Sequence, residues 1–410
     1  MPLHNNEITE IVSPAGNPEK LRFAIEFGAD AVYFGGQKFN LRDKSINLKL
    51  NEIEEGIKLC KKRSVRSIFL VNSFLRESDI DEARELINDV KDMKPDVYVV
   101  SDPGMILLLK EANIEASIHL STQMSTLNHL SIKFWNDLGI ERIVLARETT
   151  LEEIKRIREY TDAQIEIFTH GALCVSYSGR CLLSRFLSGR DANQGDCSHP
   201  CRWNYSLIEE KRPGNYLDII EHASGTEILA SKDLCLISKL PEYLELRVNA
   251  LKIEGRMKSI YYTANTTRIY KHALRAFERG DDHNKYLPFY LNELDLINHR
   301  PYTDDLFNEF ENMGFSKLPY INKALFLGYK LSDGKDNTQI YVKTFNPIYS
   351  KEEIEAIFPI EDFVKDDKFY VEEILEDEKI VDMAEPGRVY LIKFNKEVDN
   401  YAIFRRRKEC

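Results

Sequence analysis

The chain has 410 residues, of which 43% are hydrophobic, and its 67 acidic and 56 basic residues give a formal net charge of −11. A length above the usual limit for one hydrophobic core predicts two domains. The acidic balance argues against a general binder of polyanions, and the lack of a long apolar run argues against a membrane-spanning helix. The polar start, MPLHNNEITE, does not resemble a secretory signal, so we expect a cytoplasmic protein without a membrane partner.

Short runs of β-branched or apolar residues recur over the first 280 residues, and each run ends in polar residues. They cover 10–16, 31–36, 66–73, 96–103, 116–122, 142–148, 164–171 and 250–256. Helical patterns separate the first seven runs and follow the last. Alternating β and α segments predict a parallel sheet, and eight such units predict an α/β fold with a (β/α)8, TIM-like barrel. A doubly wound sheet is the alternative, but its Gly-x-Gly-x-x-Gly turn is absent after the first strand.

A long insertion, 172–249, separates the seventh and eighth predicted strands, whereas most other connections are compact. In a barrel this insertion follows the carboxyl end of a strand, on the face where catalytic residues gather. Beyond residue 280 the pattern changes, and four runs from about residue 325 predict strands without long helices between them. We therefore predict a barrel over 1–280, a linker region over 281–324 and a small antiparallel β-domain over 325–410.

The insertion holds five of the seven cysteines: Cys174, Cys181, Cys197, Cys201 and Cys235. In a reducing compartment such a cluster favours metal binding or redox use over disulfides. The Cys197-x₃-Cys201 pair suits zinc, but the gap in Cys174-x₆-Cys181 is wider than a usual zinc knuckle. An iron–sulfur cluster accepts ligands from separated loops because its iron corners lie apart. Spacing alone leaves buried structural thiols, zinc and an iron–sulfur cluster open.

Polar side chains lie at the carboxyl ends of four predicted strands. They are His119, Ser121 and Gln123 at strand five, Arg147 and Glu148 at strand six, His170 at strand seven, and Lys252, Glu254 and Arg256 at strand eight; Glu166 lies near the start of strand seven. Alternation along strand eight points its three charged side chains to one face, which in a barrel is the lumen. They form either a buried ion-pair layer or a site. In a site, the basic side chains bind carboxylates, and Glu166, His170 and Glu254 are candidate proton carriers.

The stretch EIFTHGALCVSYSGRCLLS, residues 166–184, resembles the signature of the collagenase-like family called peptidase family U32. GRDANQGDCSHPCRWNY, SKDLCLI, LKIEGRMKS and HRPYT continue the similarity in the same order, to at least residue 305. Despite the family name, several members are hydroxylation proteins that carry a [4Fe–4S] cluster and act on tRNA, ribosomal RNA or ubiquinone precursors. The spacing in those members implies that Cys174, Cys181, Cys197 and Cys235 are the cluster ligands here, with Cys201 able to replace Cys235.

Length and the RDANQGDCSHPCRWNY stretch are most similar to the family's tRNA hydroxylation proteins. This resemblance implies oxygen-independent formation of 5-hydroxyuridine at the wobble position of tRNA, with prephenate as co-substrate. A collagenase-like peptidase is one alternative, although His-Glu-x-x-His and Gly-x-Ser-x-Gly motifs are absent. A non-catalytic RNA-binding module with a structural cluster is another.

Partners would then be the tRNA anticodon region and a small carboxylate. The stretch 172–279 has 16 basic and 12 acidic residues, a net charge of +4, and coincides with the cysteines. Within it, Arg190 and Arg202 are candidate RNA contacts, and Trp203 is a candidate stacking platform together with Tyr205. The alternative is that these rings pack the insertion against the barrel.

Overall fold

The computed structural model describes residues 9–42, 47–174, 176, 178, 180–200, 232–304, 320–359 and 368–408, and the backbone of four short strands between 207 and 227. These residues form two compact units. The first lies within Met1–Ile25, Ala29–Lys258 and Arg300–Pro319, and the second within Glu26–Gly28, Ser259–His299 and Tyr320–Cys410. No helix in these ranges combines the length and the apolar character that crossing a membrane requires.

The first unit is a closed parallel barrel, as the alternation predicted. Its first seven strands are β1 (Glu10–Pro14), β2 (Ala31–Gly35), β3 (Arg66–Val71), β4 (Val97–Val100), β5 (Ser117–Leu120), β6 (Arg142–Val144) and β7 (Gln164–Ala172). The insertion contributes β8 (Leu207–Ile208), β9 (Tyr216–Leu217), β10 (Ile220–His222), β11 (Gly225–Glu227) and β12 (Asp233–Cys235) before β13 (Ala250–Ile253). Since β13 pairs in parallel with both β1 and β7, the eight barrel strands close.

Helices connect the strands and cover the barrel. They are α1 (Pro18–Glu26), α2 (Leu50–Lys62), α3 (Ile80–Lys91), α4 (Pro103–Glu111), α5 (His129–Asp137), α6 (Leu151–Arg158), α7 (Leu183–Ser188) and α8 (Leu240–Glu245). Their starts follow local chemistry: Asp102 caps α4 by accepting from the backbone N–H of Gly104, and Thr150 caps α6 together with Glu153.

Strand β7 bends where it leaves the barrel. In its pairing with β13, Lys252 faces Phe168 but the next residue, Ile253, faces His170, so Thr169 is an extra residue on β7. Such a bulge increases local twist and redirects the strand. Beyond it, β7 pairs antiparallel with β12, where Cys235 lies opposite His170. The bulge thus brings the end of the insertion back to the barrel rim.

The second unit begins with α9 (Ile260–Glu278) and α10 (His283–Asp295). The chain then returns to the first unit, where the short strand β14 (Tyr302–Thr303) pairs with β12. The remaining strands are β15 (Ala324–Asp336), β16 (Gln339–Thr344), β17 (Ile348–Tyr349), β18 (Glu353–Ile357), β19 (Lys368–Glu376), β20 (Lys379–Val381), β21 (Met383–Ala384), β22 (Val389–Phe394) and β23 (Ile403–Arg407). Six of them close in the order β18-β23-β15-β16-β22-β19, with β19 pairing back to β18, so the predicted antiparallel C-terminal region is confirmed.

The stretch predicted as a linker region contains α10, and this helix is anchored by a buried ion pair. Glu293 of α10 accepts two hydrogen bonds of 2.8 Å from the guanidinium of Arg405 on β23 and also pairs with Arg268 of α9. A second carboxylate, Glu355 of β18, accepts from Arg405 Nε at 2.8 Å. The ion pairs join two helices to two strands, so residues 283–295 are part of the second unit's fold.

Candidate active site

A cavity of about 150 Å³ opens at the carboxyl ends of the barrel strands. Its wall includes Tyr33 of β2, Val99 of β4, Phe168 of β7 and Lys252 of β13, so residues from opposite sides of the barrel meet there. In a (β/α)8 barrel this face carries the active site. The cavity is therefore the candidate active site.

Beneath the cavity, charged side chains fill the lumen as an ion-pair layer. Lys252 Nζ lies 2.6 Å from Glu166 Oε1, and Arg142 Nη1 lies 2.6 Å from Glu10 Oε2 and 3.9 Å from Glu166 Oε2. Lys252 also lies 4.7 Å from the centroid of the Tyr33 ring. Glu166, Lys252 and Arg142 are all buried. Glu166 is thus the partner of a buried cation, and Lys252 carries its charge to the cavity floor.

Basic residues surround one carboxylate on the cavity wall. Arg147 Nη2 lies 3.2 Å from Glu254 Oε2, and Arg42 Nη2 lies 3.9 Å from Glu254 Oε1. Burial alone would raise the pKa of Glu254, but Arg147, Arg42 and Arg256 outweigh it and lower that pKa below its ordinary value. Arg147 Cζ also lies over the ring of Phe168, 4.2 Å from its centroid. This wall can accept an anionic ligand.

Arg256 reaches the cavity past the end of β2. Its guanidinium donates to Asn40 Oδ1, and a Cβ on Gly35 would lie 2.7 Å from Arg256 Nη1. Only glycine therefore allows the guanidinium to approach this strand end so closely. The predicted common orientation of Lys252, Glu254 and Arg256 agrees with their positions, because all three line the cavity.

Uncharged polar side chains form the opposite wall. Asn72 Nδ2 donates to Ser121 Oγ at 3.2 Å, and the Ser121 hydroxyl in turn donates to Gln123 Oε1. The backbone carbonyl oxygen of Gln123 accepts a 3.1 Å hydrogen bond from Arg180 Nε, which connects the insertion to the end of β5. Amides and hydroxyls of this kind recognise the edges of a polar ring without adding charge.

Three of the predicted cluster ligands, Cys174, Cys181 and Cys197, line the same cavity. Burial raises the pKa of Cys197 and the neighbouring thiols raise it further, although the backbone N–H of His199, 3.4 Å from Cys197 Sγ, and Arg42 act in the opposite direction. Thiolate donors on separated loops fit an iron–sulfur cluster, whose sulfurs commonly accept hydrogen bonds. Among the described residues, no three His, Cys, Asp or Glu side chains are arranged to hold a single metal ion.

The other cysteines occupy different surroundings. Cys235 is buried on β12 and is not among the described residues that line the cavity. Cys201 and Cys410 lie outside the described residues. Cys60 is buried on α2, where burial raises its pKa to about 12, so it is an inert thiol.

Several predicted site residues lie away from the cavity. His119 is fully buried on β5, neither of its ring nitrogens has a hydrogen-bond partner in the described structure, and burial lowers its pKa well below the ordinary value. His170 lies within β7, not after it, and its Nε2 is 3.4 Å from Tyr302 Oη. Glu148 accepts hydrogen bonds from the backbone and hydroxyl of Ser178 and so holds the insertion.

The predicted RNA contacts are only partly described. Arg190 is exposed and pairs with Asp196, with 2.6 Å between Nε and Oδ1. Arg202, Trp203 and Tyr205 lie outside the described residues.

Sequence reasoning missed Arg42, Asn72 and Phe168, which line the cavity with the predicted residues. Asn72 directly follows β3, so the strand-end rule that selected Gln123 was also available for it. Arg42 lies seven residues beyond β2 in a loop, where no local signal indicates its direction.

Comparison with known proteins identifies the family. The family model described as "Peptidase family U32" matches residues 16–314. The chain belongs to peptidase family U32. It is 34% identical over 358 residues to "tRNA hydroxylation protein P1" of Bacillus subtilis, covering 86% of this chain and 85% of that protein. It is also 34% identical over 364 residues to "tRNA hydroxylation protein P" of Escherichia coli, covering 79% and 78%. A third U32 relative, "Collagenase" of Porphyromonas gingivalis, is 31% identical over 283 residues, 66% of each chain.

Proposed function

We propose that this U32 protein is an RNA-modifying enzyme that forms 5-hydroxyuridine at the wobble position of tRNA. The observation that carries the proposal is the cavity at the carboxyl face of the barrel, where Cys174, Cys181 and Cys197 meet a cationic wall and a neutral polar wall. The names of two relatives, each 34% identical to this chain over more than three quarters of its length, support tRNA as the substrate.

Hydroxylation at C5 with water as the oxygen source (base–H + H2O → base–OH + 2 H⁺ + 2 e⁻) is a two-electron oxidation of the base, so it requires a redox group and an external electron acceptor. Cys174, Cys181, Cys197 and Cys235 would hold a [4Fe–4S] cluster, with Cys201 as the alternative to Cys235. When bound, such a cluster supplies electron transfer close to the base. Three of these thiols line the cavity, which supports a redox site there.

The cationic wall suits a small dicarboxylate, and we assign it to prephenate as co-substrate. Arg147, Arg256 and Lys252 supply positive charge from three directions, and Arg42 adds a fourth cation from the β2 loop. Guanidinium groups bind carboxylates through paired, charge-assisted hydrogen bonds. Glu254 holds Arg147 in place, with 3.2 Å between Arg147 Nη2 and Glu254 Oε2. Its lowered pKa keeps it ionised, so it can accept a proton only as a weak base.

The neutral wall suits the nucleobase. Ser121 and Gln123, together with Asn72, offer hydroxyl and amide groups at the end of β5 and β3. Hydrogen bonds from such groups bind the polar edges of a base, which carries no charge.

The test is expression of this chain in bacteria whose tRNA lacks 5-hydroxyuridine because their own genes for it are deleted. Mass spectrometry of tRNA nucleosides should reveal 5-hydroxyuridine with the wild-type chain and with Cys60→Ala, but not with Cys174→Ala. The lack of 5-hydroxyuridine in cells that contain soluble wild-type protein would reject the proposal. Cleavage of collagen or casein by the anaerobically purified protein would favour the peptidase that the third relative's name suggests.

A further inference from the structure

Helix α7 is packed with its polar side inward. Ser184 is fully buried, and its Oγ accepts a 3.0 Å hydrogen bond from the backbone N–H of Ser198. The hydroxyls of Ser188 and Ser198 are 2.6 Å apart, which fixes the same side of the helix to the loop that follows Cys197. The helix cannot rotate to bury another side without breaking these bonds.

The opposite side of the helix is apolar and exposed. We call it the outer face of α7 and define it by Leu182, Leu183, Phe186 and Leu187. Phe186 is 86% exposed and Leu182 is 72% exposed. Residues three or four apart share one side of a helix, so these side chains form one surface. Exposure of large apolar side chains to water is unfavourable, so a contiguous exposed set indicates a surface that binds a partner.

We propose that the outer face of α7 binds single-stranded RNA, with an unpaired base stacked on the ring of Phe186. The proposal rests on the proposed function in taking RNA as the substrate class. Arg185 is exposed beside Phe186, and Arg190, which pairs with Asp196 through Nε, is exposed just beyond the end of the helix. An aromatic ring with guanidinium groups at its side is a usual surface for single-stranded nucleic acid, because the ring stacks on a base and the cations bind phosphates.

Charge favours RNA over a second copy of the chain. The whole chain carries −11, whereas residues 180–190, which include α7, contain three arginines and no acidic residue. A symmetric dimer through the outer face would bring the arginines of one copy toward those of the other, and like charges across an interface are unfavourable. Phosphates instead attract them.

The outer face of α7 is also adjacent in sequence to residues that line the cavity. Leu182 follows Cys181, which lines the cavity, and Ser198, which holds α7, follows Cys197. The proposal places a base stacked on Phe186 in the same RNA loop as the nucleotide that enters the cavity. Phe186 is a positioning residue for that nucleotide.

The test measures the affinity of the cluster-loaded protein for a fluorescent anticodon stem–loop RNA and for the same sequence in a full duplex. We expect wild type to prefer the stem–loop. Phe186→Ala should bind the stem–loop roughly 5- to 100-fold more weakly, the range expected for the loss of one base stack. Phe186→Trp should retain the affinity. Phe134→Ala is the matched control, since Phe134 on α5 is another aromatic side chain, 57% exposed.

Stem–loop affinity that is equal in wild type and Phe186→Ala, with equal iron content and circular dichroism, would overturn the inference. So would a wild-type dimer that Phe186→Ala converts to a monomer without a change in RNA binding, because the face would then belong to a second copy. The proposed function fails separately. Phe186-dependent RNA binding by a protein that makes no 5-hydroxyuridine would reject the function and keep the surface, and the reverse result would reject only the surface.

Discussion

Arg147 contacts two other residues of the cavity wall through one guanidinium. It lies over Phe168, pairs with Glu254 and lines the cavity. Its ring contact and its ion pair fix the plane of the guanidinium before any ligand binds. A carboxylate that enters the cavity therefore meets a donor group that is already oriented, which lowers the entropic cost of binding.

Replacing Arg147 tests the cationic wall directly. Arg147→Met should weaken prephenate binding roughly 10- to 100-fold, the usual effect of losing a charge-assisted hydrogen bond. Arg147→Lys should recover only part of the affinity, because an ammonium cannot make the paired contact. Isothermal titration of the cluster-loaded protein measures both, and Arg190→Met, outside the cavity, is the control. Equal affinities for wild type and Arg147→Met would remove this residue from the carboxylate site.

Some of these residues could be predicted from the sequence, and the reason is the period of a strand. Lys252, Glu254 and Arg256 alternate with apolar residues or glycine, so the period of a strand predicts one shared side. In the structure β13 ends at Ile253, and the turn that follows it places Glu254 and Arg256 at the cavity. The pairing of Lys252 with Glu166 depends instead on β7 lying beside β13. No local sequence pattern predicts the position of Arg42, because the path of the loop after β2 sets it.

At the scale of elements, the three cavity thiols come from separate pieces of the insertion. Cys174 follows β7, Cys181 precedes α7, and Cys197 lies beyond α7. The serine contacts of α7 hold the piece with Cys181 to the piece with Cys197, and the bond from Arg180 to the backbone carbonyl of Gln123 holds the insertion against the barrel. A cluster bound by the thiols would add covalent links between the same pieces.

The cysteine variants give the corresponding prediction. Protein reconstituted without oxygen should bind about four irons and four sulfides and absorb broadly in the visible range. Changing Cys174, Cys181 or Cys197 to Ala should abolish that absorption, whereas Cys60→Ala should leave it unchanged. Comparing Cys235→Ala with Cys201→Ala identifies the fourth ligand. Stoichiometric zinc without iron in protein kept from oxygen would contradict the assignment.

Two elements were not predicted, and local chemistry explains each. The Gly-Asp-Asp of 280–282 indicated a linker region, but Gly280 has a positive φ of 75° at the end of α9, and Asp282 caps α10. The same residues thus end one helix and begin the next. The buried side of α7 could not be predicted either, because an apolar LSRFLS helix is expected to bury its leucines rather than its serines.

At the scale of the molecule, the stability of the second unit depends on buried ion pairs. Burial would raise the pKa of Glu293, but Arg268 and Arg405 outweigh it and lower that pKa to about 2 from an ordinary 4.5. A carboxyl group with a lowered pKa in the folded state stabilises the fold fully above its unfolded pKa, and the stabilisation is lost as pH falls toward 2. The difference corresponds to about 3 kcal/mol.

Lowering the pH should therefore destabilise the second unit, because Glu293 becomes protonated. Glu293→Gln should lower the free energy of unfolding at pH 7 by about 3–5 kcal/mol, because Arg268 and Arg405 stay buried without their partner. The gap between wild type and variant should narrow as pH falls below about 4.5. Urea denaturation followed by circular dichroism measures the free energy of unfolding of both proteins at each pH. Glu376→Gln, an exposed carboxylate paired with Arg388, is the control. A gap that stays constant with pH would contradict this account.

The closure of the barrel by β13 also has a consequence for synthesis on the ribosome. β1 to β7 are complete at residue 172, but their two free edges are joined only by β13, which begins at residue 250. At about 5–20 residues per second, that interval lasts roughly 4 to 16 seconds. During it, the nascent chain exposes two unpaired strand edges, which are sites of misassociation. The position of β13 in the sequence thus sets an interval during synthesis in which chaperones would protect the unpaired strand edges.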